Sequence, residues 1–556
     1  MDGVYNLLHE RWIPVKRKAG EKPEYISPSQ ITEGLTTNPI VALAAPRPDF
    51  NGALIQFLIG LAQTACPPTD ESEWQKKFKN PPSPEELNAA FERYANAFNL
   101  DGDGSRFMQD LDLAKTGGEQ NKIDHILMEM PGDQTLDKNT DHFLKRDTVT
   151  SVCLSCCAMA LFTLQTNAPA GGRGHRTSLR GGGPLTTLVM GRTLWETTWL
   201  NVITRDTFSH FGNAKKTGGA DMFPWLGHTR TSAKNKITTS RQVHPIQMFW
   251  GMPRRIRLIF EAHTDAIQCD LCGCSVHNYT SGYFDKSYGI NYKDGWHHIL
   301  SPYSTDLKTG KSIPILSHRG VISYRSWLGL IENSSEKNYK REPAVIVHVF
   351  REERESDLSE ISVFPFWLWA FGYDMDNMKA RSWYEGTMPL VHIDKEIRSG
   401  YETGVSQMIK TANLIIFNVR SSIKKALFAT GAKISGDLSI IDSEFWQNTE
   451  PDFYRLSDEL RTHLENQQSL NNLKLCWLSI LSQESEMLFD RYSQSDLISV
   501  ANPKRIALAR RDLKLFSSPY NKKIIELLDL QNDLQKPGKS AKTSDKKRKI
   551  SKRVVS

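Results

Sequence analysis

Apolar positions recur along this chain in two different rhythms. Beyond the segment Pro389 to Lys395 the rhythm is helical. Val405, Ile409, Ala412, Ile416, Val419, Ile423 and Ala426 alternate spacings of four and three, which puts them on one stripe of a helix. A second stripe runs through Phe453, Leu456, Leu460 and Leu464, with Pro451 and Asp452 near its start. A third segment, from Leu470 to about Tyr492, carries Trp477, Ile480, Leu481, Leu488 and Phe489. A fourth, from about Asp496 to Leu515, carries Ile506, Leu508 and Leu513, with an extension over Ile524 to Leu530. Amphipathic helices with short connections predict a four-helix bundle over residues 395–534.

Residues 1–394 mix both rhythms. Trp12 to Val15 and Ala344 to Phe350 read as strands from their β-branched content. Gly52 to Gln63 and Cys156 to Gln165 read as helices, and apolar runs such as Leu54 to Ala65 are short enough to be buried helix. Gly and Pro punctuation is frequent and irregular, so this part predicts one large mixed α/β body with long functional loops rather than a repeat array. The whole is an α+β chain with a helical C-terminal domain. Residues 535–556 are polar and Lys-rich, with Lys546 to Lys549 as a basic run, and predict a disordered tail. A solvated end, phosphate contact and a targeting signal are all compatible with it.

Composition narrows the partners. A chain of 556 residues that is 39% hydrophobic can bury a sizeable core in more than one domain. Its net charge of +7 permits a nucleic-acid partner without requiring one. The N-terminus lacks the basic start and apolar run of a signal peptide, and no apolar run approaches the roughly 20 residues that span a bilayer. Together with eight cysteines, four of them in two Cys-x-x-Cys pairs, this points to a reducing, cytoplasmic setting and a metal site, with no membrane partner.

Those pairs are Cys153-Leu-Ser-Cys156 and Cys269-Asp-Leu-Cys272. Four thiolates in two such knuckles are the usual ligand set of structural zinc, and they leave no open coordination position for catalysis. The pairs lie too far apart in sequence for a compact finger, so the site would be a long-range clasp. Buried thiols without metal are the alternative, and Cys157 and Cys274 compete as ligands.

Three loops have residue types suited to nucleic acid. Phe143, Lys145 and Arg146 combine an aromatic with cations, which suits phosphate contact plus stacking; a charged surface loop fits equally well. Gly171-Gly172-Arg173-Gly174 matches neither a Walker loop nor a dinucleotide fingerprint. It reads either as an ordinary turn or as backbone able to approach a groove floor. Phe371 to Arg381, polar and Met-rich, reads either as a linker between domains or as a segment whose Asn and Met could wedge between base pairs. Asp294 to His298 is the most tempting catalytic cluster, but its histidines lack a third ligand at metal spacing or paired carboxylates.

Scattered motifs in a constant order supply a resemblance. Tyr5-Asn6-Leu7-Leu8 with Trp12 to Val15, Pro46-Arg47 with Asp49, Ala168-Pro169 through Pro184, both knuckles, Trp296 with His298 and Ser301-Pro302, Gly372-Tyr373, Glu486 to Phe489 and Ala507 to Arg510 all contribute. The chain resembles the CasA family, the large subunit of the type I-E CRISPR surveillance complex Cascade. That resemblance implies a non-enzymatic, DNA-binding subunit that recognises the protospacer-adjacent motif, opens the duplex and helps form the R-loop. Implied partners are target double-stranded DNA and its displaced strand, and the guide-RNA-containing backbone, small and RNA-end-binding subunits. A recruited helicase–nuclease for antiviral target degradation is the last of them.

Carried over residue by residue, the first recognition loop falls on Phe143, Leu144 and Lys145, with Arg146 beside it, and the glycine loop on Gly171, Gly172, Arg173 and Gly174. A contacting lysine falls at Lys286 or the neighbouring Ser287. The wedge falls on Asp376, Asn377 and Met378, and structural zinc on Cys153, Cys156, Cys269 and Cys272. Arg173 within the glycine loop and Asn377 in place of a wedge glutamine depart from the family pattern. Two rival functions fit the residues less fully: a metal-dependent nuclease using His297 and His298, and a zinc-clasped scaffold that binds only RNA and protein.

Overall fold

The computed structural model describes residues 3–113, 117–130, 147–172, 174–293, 296–317, 322–335, 338–361, 366–376, 378–428, 438–494 and 502–530. They form two compact units, Met1–His392 and Ile393–Ser556. Phe143 to Arg146, Arg173, Asp294, Asn377 and the Lys-rich tail lie outside the described residues.

At the centre of the first unit is the helix Pro48–Ala65. Pro48 and Asp49 suit its first turn, and the segment is apolar on every side, so it is buried nearly throughout. Phe57 on this helix meets Trp12, Phe98, Phe107, Phe162 and Trp250 edge to face, at centroid distances of 5.2 to 5.9 Å. Such rings tie the N-terminal strands, this helix and the helix Leu154–Asn167 into one core. Gly52 gives the helix a second role: a Cβ there would lie 2.7 Å from the Trp383 ring, so the missing side chain admits a neighbouring hairpin.

Among the described residues the first unit also has four small sheets, and every pairing within them is antiparallel. Two of them position the site. A long hairpin, Arg255–Gln268 with Ser275–Lys286, takes Glu119–Lys122 and Val152–Cys153 along its second strand. A second hairpin, Phe366–Asp376 with Lys379–Leu390, is extended by Thr186–Met190.

Ala344 to Phe350, expected as a strand, is instead the helix Val345–Val349, continued by Phe350–Arg354 and Glu355–Ile361. Local β preference loses to a tertiary anchor one turn on. Arg354 is fully buried, pairs with both oxygens of Glu71 at 2.8 and 2.9 Å, and lies 3.9 Å from the Trp74 ring centroid. A helical path delivers that guanidinium to the carbonyls of Leu200 and Val202 as well.

The second unit contains the helices Lys395–Leu427, Ser439–Glu465, Asn471–Gln494 and Pro503–Phe516, and a short fifth one, Lys522–Leu528. The stripe from Val405 to Ala426 is buried as the periodicity predicts. The second helix begins well before its predicted start and carries Pro451 in its interior. Ile441, Phe445, Trp446 and Thr449 extend the buried face on the N-terminal side of the proline, and that burial outweighs the lost backbone hydrogen bond. The expected extension around Ile524 is a separate helix whose Ile524 and Leu528 are buried.

Candidate metal centre and nucleic-acid interface

The two cysteine pairs meet in space. The sulfurs of Cys153, Cys156, Cys269 and Cys272 all lie within 4.8 Å of one another, and Cys153 and Cys272 are 3.8 Å apart. A tetrahedron with metal–sulfur bonds of about 2.3 Å has edges of about 3.8 Å. The first pair spans a strand-to-helix junction: Cys153 ends Val152–Cys153 and caps the helix Leu154–Asn167, its sulfur accepting from the Cys156 amide at 3.4 Å. The second pair sits on the turn of the long hairpin, and the Cys269 sulfur accepts from the Cys153 amide at 3.3 Å. Asp270 reinforces the join, accepting from the Thr150 and Ser151 amides at 2.7 and 2.9 Å. Cys157 is buried outside the cluster and Cys274 is exposed beside Tyr25, so neither displaces a predicted ligand.

Sulfurs this close share their protons unevenly. Hydrogen bonding from Cys153 brings the Cys269 thiol down to about 6 and holds that of Cys272 far lower, while the bond to Cys153 pushes Cys156 far up. Four thiolates cannot accumulate in so small a space without a cation to compensate them, which is the chemistry a divalent metal supplies. The donor set and spacing therefore fit a structural metal held by these four residues.

Two arms leave the clasp and meet again. One is the helix Leu154–Asn167, about 20 Å long for its 14 residues, which ends just before the glycine loop. The other is the strand Ser275–Lys286, which ends at Lys286. At the far end, His175 approaches Asp285 at 2.8 Å, and the Tyr288 amide donates to the Gly174 carbonyl at 3.1 Å. The glycine loop and the Lys286 end of the strand, separate in sequence, thus form one surface. Within the loop, the Gly171 amide donates to His175 and the His175 amide to Gly172, closing a tight turn. Gly174 has φ +85°, and a Cβ there would lie 2.8 Å from the Tyr288 ring. Gly172 is open: among the described residues, a Cβ on it would meet nothing within 4 Å.

Asp376 and Met378 flank the tip of the second hairpin, with Asn377 between them in sequence. The segment Phe371 to Arg381 is thus part of a paired hairpin and not a linker. Met378 is 56% exposed at the tip. Arg381 grips both oxygens of buried Asp374 at 2.8 and 2.9 Å and reaches Asp376 at 3.4 Å, next to a bulge between Asp374 and Met375. Below the tip, the Tyr373 hydroxyl donates to Asp49 at 2.5 Å. Asp49 also pairs with Arg47 at 3.0 Å, and Arg47 with Glu129 at 2.5 Å. Burial followed by the adjacent Asp49 and Glu129 charges drives the Tyr373 phenol far above its usual range, so it stays a donor.

His298 is buried, its Nδ1 accepts from the Leu300 amide at 3.1 Å, and burial lowers its pKa well below the ordinary imidazole range. His297 packs on the Tyr303 ring, with centroids 3.9 Å apart. Among the described residues, the one group of three or more His, Cys, Asp or Glu ligands is the four cysteines. No helix among the described residues is long and apolar enough to cross a membrane.

Sequence patterns missed Tyr288, the Asp285–His175 pair and the Arg47–Asp49–Tyr373 network. Arg47 and Asp49 stood out only as motif residues; Tyr288 carried no signal, because its position beside Gly174 depends on a backbone turn.

Residues 6–485 match the family described as CRISPR-associated protein Cse1. The fold is similar to that of CasA from Thermus thermophilus, with TM-score 0.66 and 15% identity over 93% of this chain and 99% of that one. It is similar to Cse1 from Thermobifida fusca, with TM-score 0.66 and 15% identity over 94% and 98% of the two chains. A chain of a CRISPR RNA-guided surveillance complex matches with TM-score 0.63 and 14% identity, over 93% of this chain and 100% of that one.

Proposed function

The chain belongs to the CRISPR-associated Cse1 family, and from that premise we propose that it is the large subunit of a type I-E RNA-guided surveillance complex, Cascade. In this reading it works in the cytoplasm with the guide-RNA-bearing backbone, small and RNA-end-binding subunits. The first unit recognises the protospacer-adjacent motif in duplex DNA, and the helical unit lies against neighbouring subunits and the displaced strand. The four cysteines hold Zn2+ as a structural ion, and the subunit contributes no catalysis of its own. A helicase–nuclease recruited to its surface degrades the target.

The observation that carries this reading is the convergence of two arms from one clasp. It sets backbone of the glycine loop and the Lys286 end of a strand side by side, with an exposed aromatic between them. Glycine backbone can approach a groove floor where side chains would clash, and cations nearby meet phosphates. Phe143 to Arg146 supply the other recognition loop, from the segment that enters the first knuckle. Asp376, Asn377 and Met378 act as the wedge: a hairpin braced by Arg381 can push an apolar side chain between base pairs beside the motif. Base pairing with the guide then reads sequence, as in other RNA-guided effectors, where strand exchange is nearly balanced and a few kcal/mol of protein contacts decide its nucleation. Reading from the minor groove, where the donor and acceptor code is degenerate, would make the subunit tolerant of several motifs.

A randomised-motif library of target duplexes bound to the assembled complex tests the proposal. Enrichment of a short motif next to the protospacer, lost on Lys286→Ala together with Gly172→Ala, is expected; retention without motif preference would overturn it. The nuclease alternative is tested by incubating the purified protein with duplex DNA and divalent metal. Cleavage that disappears in His298→Ala would reject the non-enzymatic reading, which the buried, hydrogen-bonded state of His298 supports.

A further inference from the structure

Backbone strain is concentrated beside the glycine loop. Among the described residues seven non-glycine residues have positive φ, and three of them, Lys234 (φ 56°), Asn235 (φ 59°) and Tyr288 (φ 65°), belong to one contiguous patch. The Ser232 amide donates to the Tyr288 carbonyl at 3.2 Å, and the Arg176 guanidinium, just past the glycine loop, donates to the Ser232 hydroxyl at 2.8 Å. The other end of the segment is pinned too: the Thr238 amide donates to Asn291 at 2.9 Å, and the Trp296 indole to Thr238 at 2.9 Å. Between these anchors Lys234, Asn235 and Lys236 are exposed, and among the described residues neither ammonium has an ion-pair or hydrogen-bond partner. Tyr288 is 48% exposed, with its ring edge over Gly174 and Lys286 two residues back.

Asparagine adopts left-handed backbone readily, but at lysine and tyrosine it persists only where the surroundings enforce it, and such strain concentrates at functional sites. A solvated loop of lysines has no need of it. Here it fixes Lys234 and Tyr288 at the margin of the surface formed by the glycine loop and Lys286, with Lys236 two residues on in extended backbone.

We propose that the segment Ser232–Thr238 and Tyr288 form a further DNA-contact element, distinct from the recognition loops and the wedge. Lys234 and Lys236 take backbone phosphates of the duplex flanking the motif, and the Tyr288 ring packs against a sugar or base edge next to the glycine loop. The partner is duplex DNA, and the inference rests on the DNA-binding function proposed above. Phosphate contacts of this kind add affinity without sequence preference and fix register on the duplex.

The assembled complex is titrated with a target duplex at several salt concentrations. Lys234→Ala combined with Lys236→Ala is expected to weaken binding equally across motif variants and to make the slope of log K against log salt shallower by about 2. Tyr288→Gly is expected to weaken binding while raising the melting temperature of the subunit, since glycine accepts φ 65° without strain. A residue of purely structural importance would lower the melting temperature and leave affinity intact. An unchanged salt slope in the double variant, or a destabilised Tyr288→Gly subunit with full affinity, would overturn the inference. Lys286→Ala and Gly172→Ala run alongside separate the two levels. If they weaken binding and the new variants do not, only this inference fails; if none has an effect, the DNA-binding reading fails with it.

Discussion

Gly172 and Gly174 stand two residues apart and predict opposite outcomes for the same substitution. Gly172 lies outside the left-handed region, and among the described residues nothing stands within 4 Å of a Cβ built on it. Gly172→Ala should therefore leave the fold intact and stabilise it by about 0.4–1 kcal/mol through the unfolded chain. Gly174 has φ +85° and would place a Cβ 2.8 Å from the Tyr288 ring and 3.2 Å from its amide nitrogen. Gly174→Ala should cost about 1–2 kcal/mol for the left-handed backbone alone, and more as Tyr288 is displaced. If the loop's backbone rests against a groove floor, the methyl of Gly172→Ala projects into the space of the partner. Duplex affinity should then fall about tenfold or more, about 1.4 kcal/mol, in a subunit that melts no lower than the parent. Thermal unfolding of the purified subunit, set beside fluorescence-anisotropy titration of the assembled complex, reads both quantities. A Gly172→Ala complex that binds its target as tightly as the parent would refute the idea that glycine is there for close approach.

The other predictions concern the clasp and the hairpin. Cys269→Ser should release the bound metal, measured by elemental analysis, and lower the melting temperature; full metal retention would mean another ligand set. Asn377→Ala should slow R-loop formation, followed by stopped-flow fluorescence of a base analogue, without dissociating the subunit; an unchanged rate would exclude it from the wedge. Tyr373→Phe removes a hydrogen bond to a buried carboxylate and should cost about 1.5–3 kcal/mol in denaturant unfolding. A loss below a few tenths of a kcal/mol would show that Arg47 alone satisfies Asp49.

The clasp was legible in the chain because knuckle spacing follows from coordination geometry, whatever the distance between knuckles. The long C-terminal stripes were legible for a similar reason: Val405 to Ala426 repeats one local rule over many turns. Sequence reasoning failed where a distant partner decides. Ala344 to Phe350 is rich in β-branched residues, yet the buried pairing of Arg354 with Glu71 makes that stretch helical. The start of Ser439–Glu465 was hidden because Pro451 reads as a boundary while Ile441 to Thr449 carry the same buried face across it. Phe371 to Arg381 could be read as a linker as well as a wedge segment because its second strand is largely polar; the register with Phe366–Asp376 is what makes it a hairpin. Tyr288 was invisible for a different reason, since left-handed backbone at a tyrosine contradicts its own preference.

The Arg47–Asp49–Tyr373 network has a mechanical consequence. Asp49 is buried and bonded at once to Arg47, on its own segment, and to Tyr373, in the first strand of the second hairpin. Lifting that strand from the helix Pro48–Ala65 would take from buried Asp49 one of its two partners, so the root of the hairpin is clamped. Just beyond it, the bulge between Asp374 and Met375 shifts the register, and pairing resumes with Met375 opposite Ala380 and Asp376 opposite Lys379. The hairpin is therefore a cantilever, held at its root by Tyr373 and stiffened across its bulge by Arg381. Load applied at Asp376 passes through Arg381 to buried Asp374, and along the same strand through Tyr373 to Asp49 and Arg47.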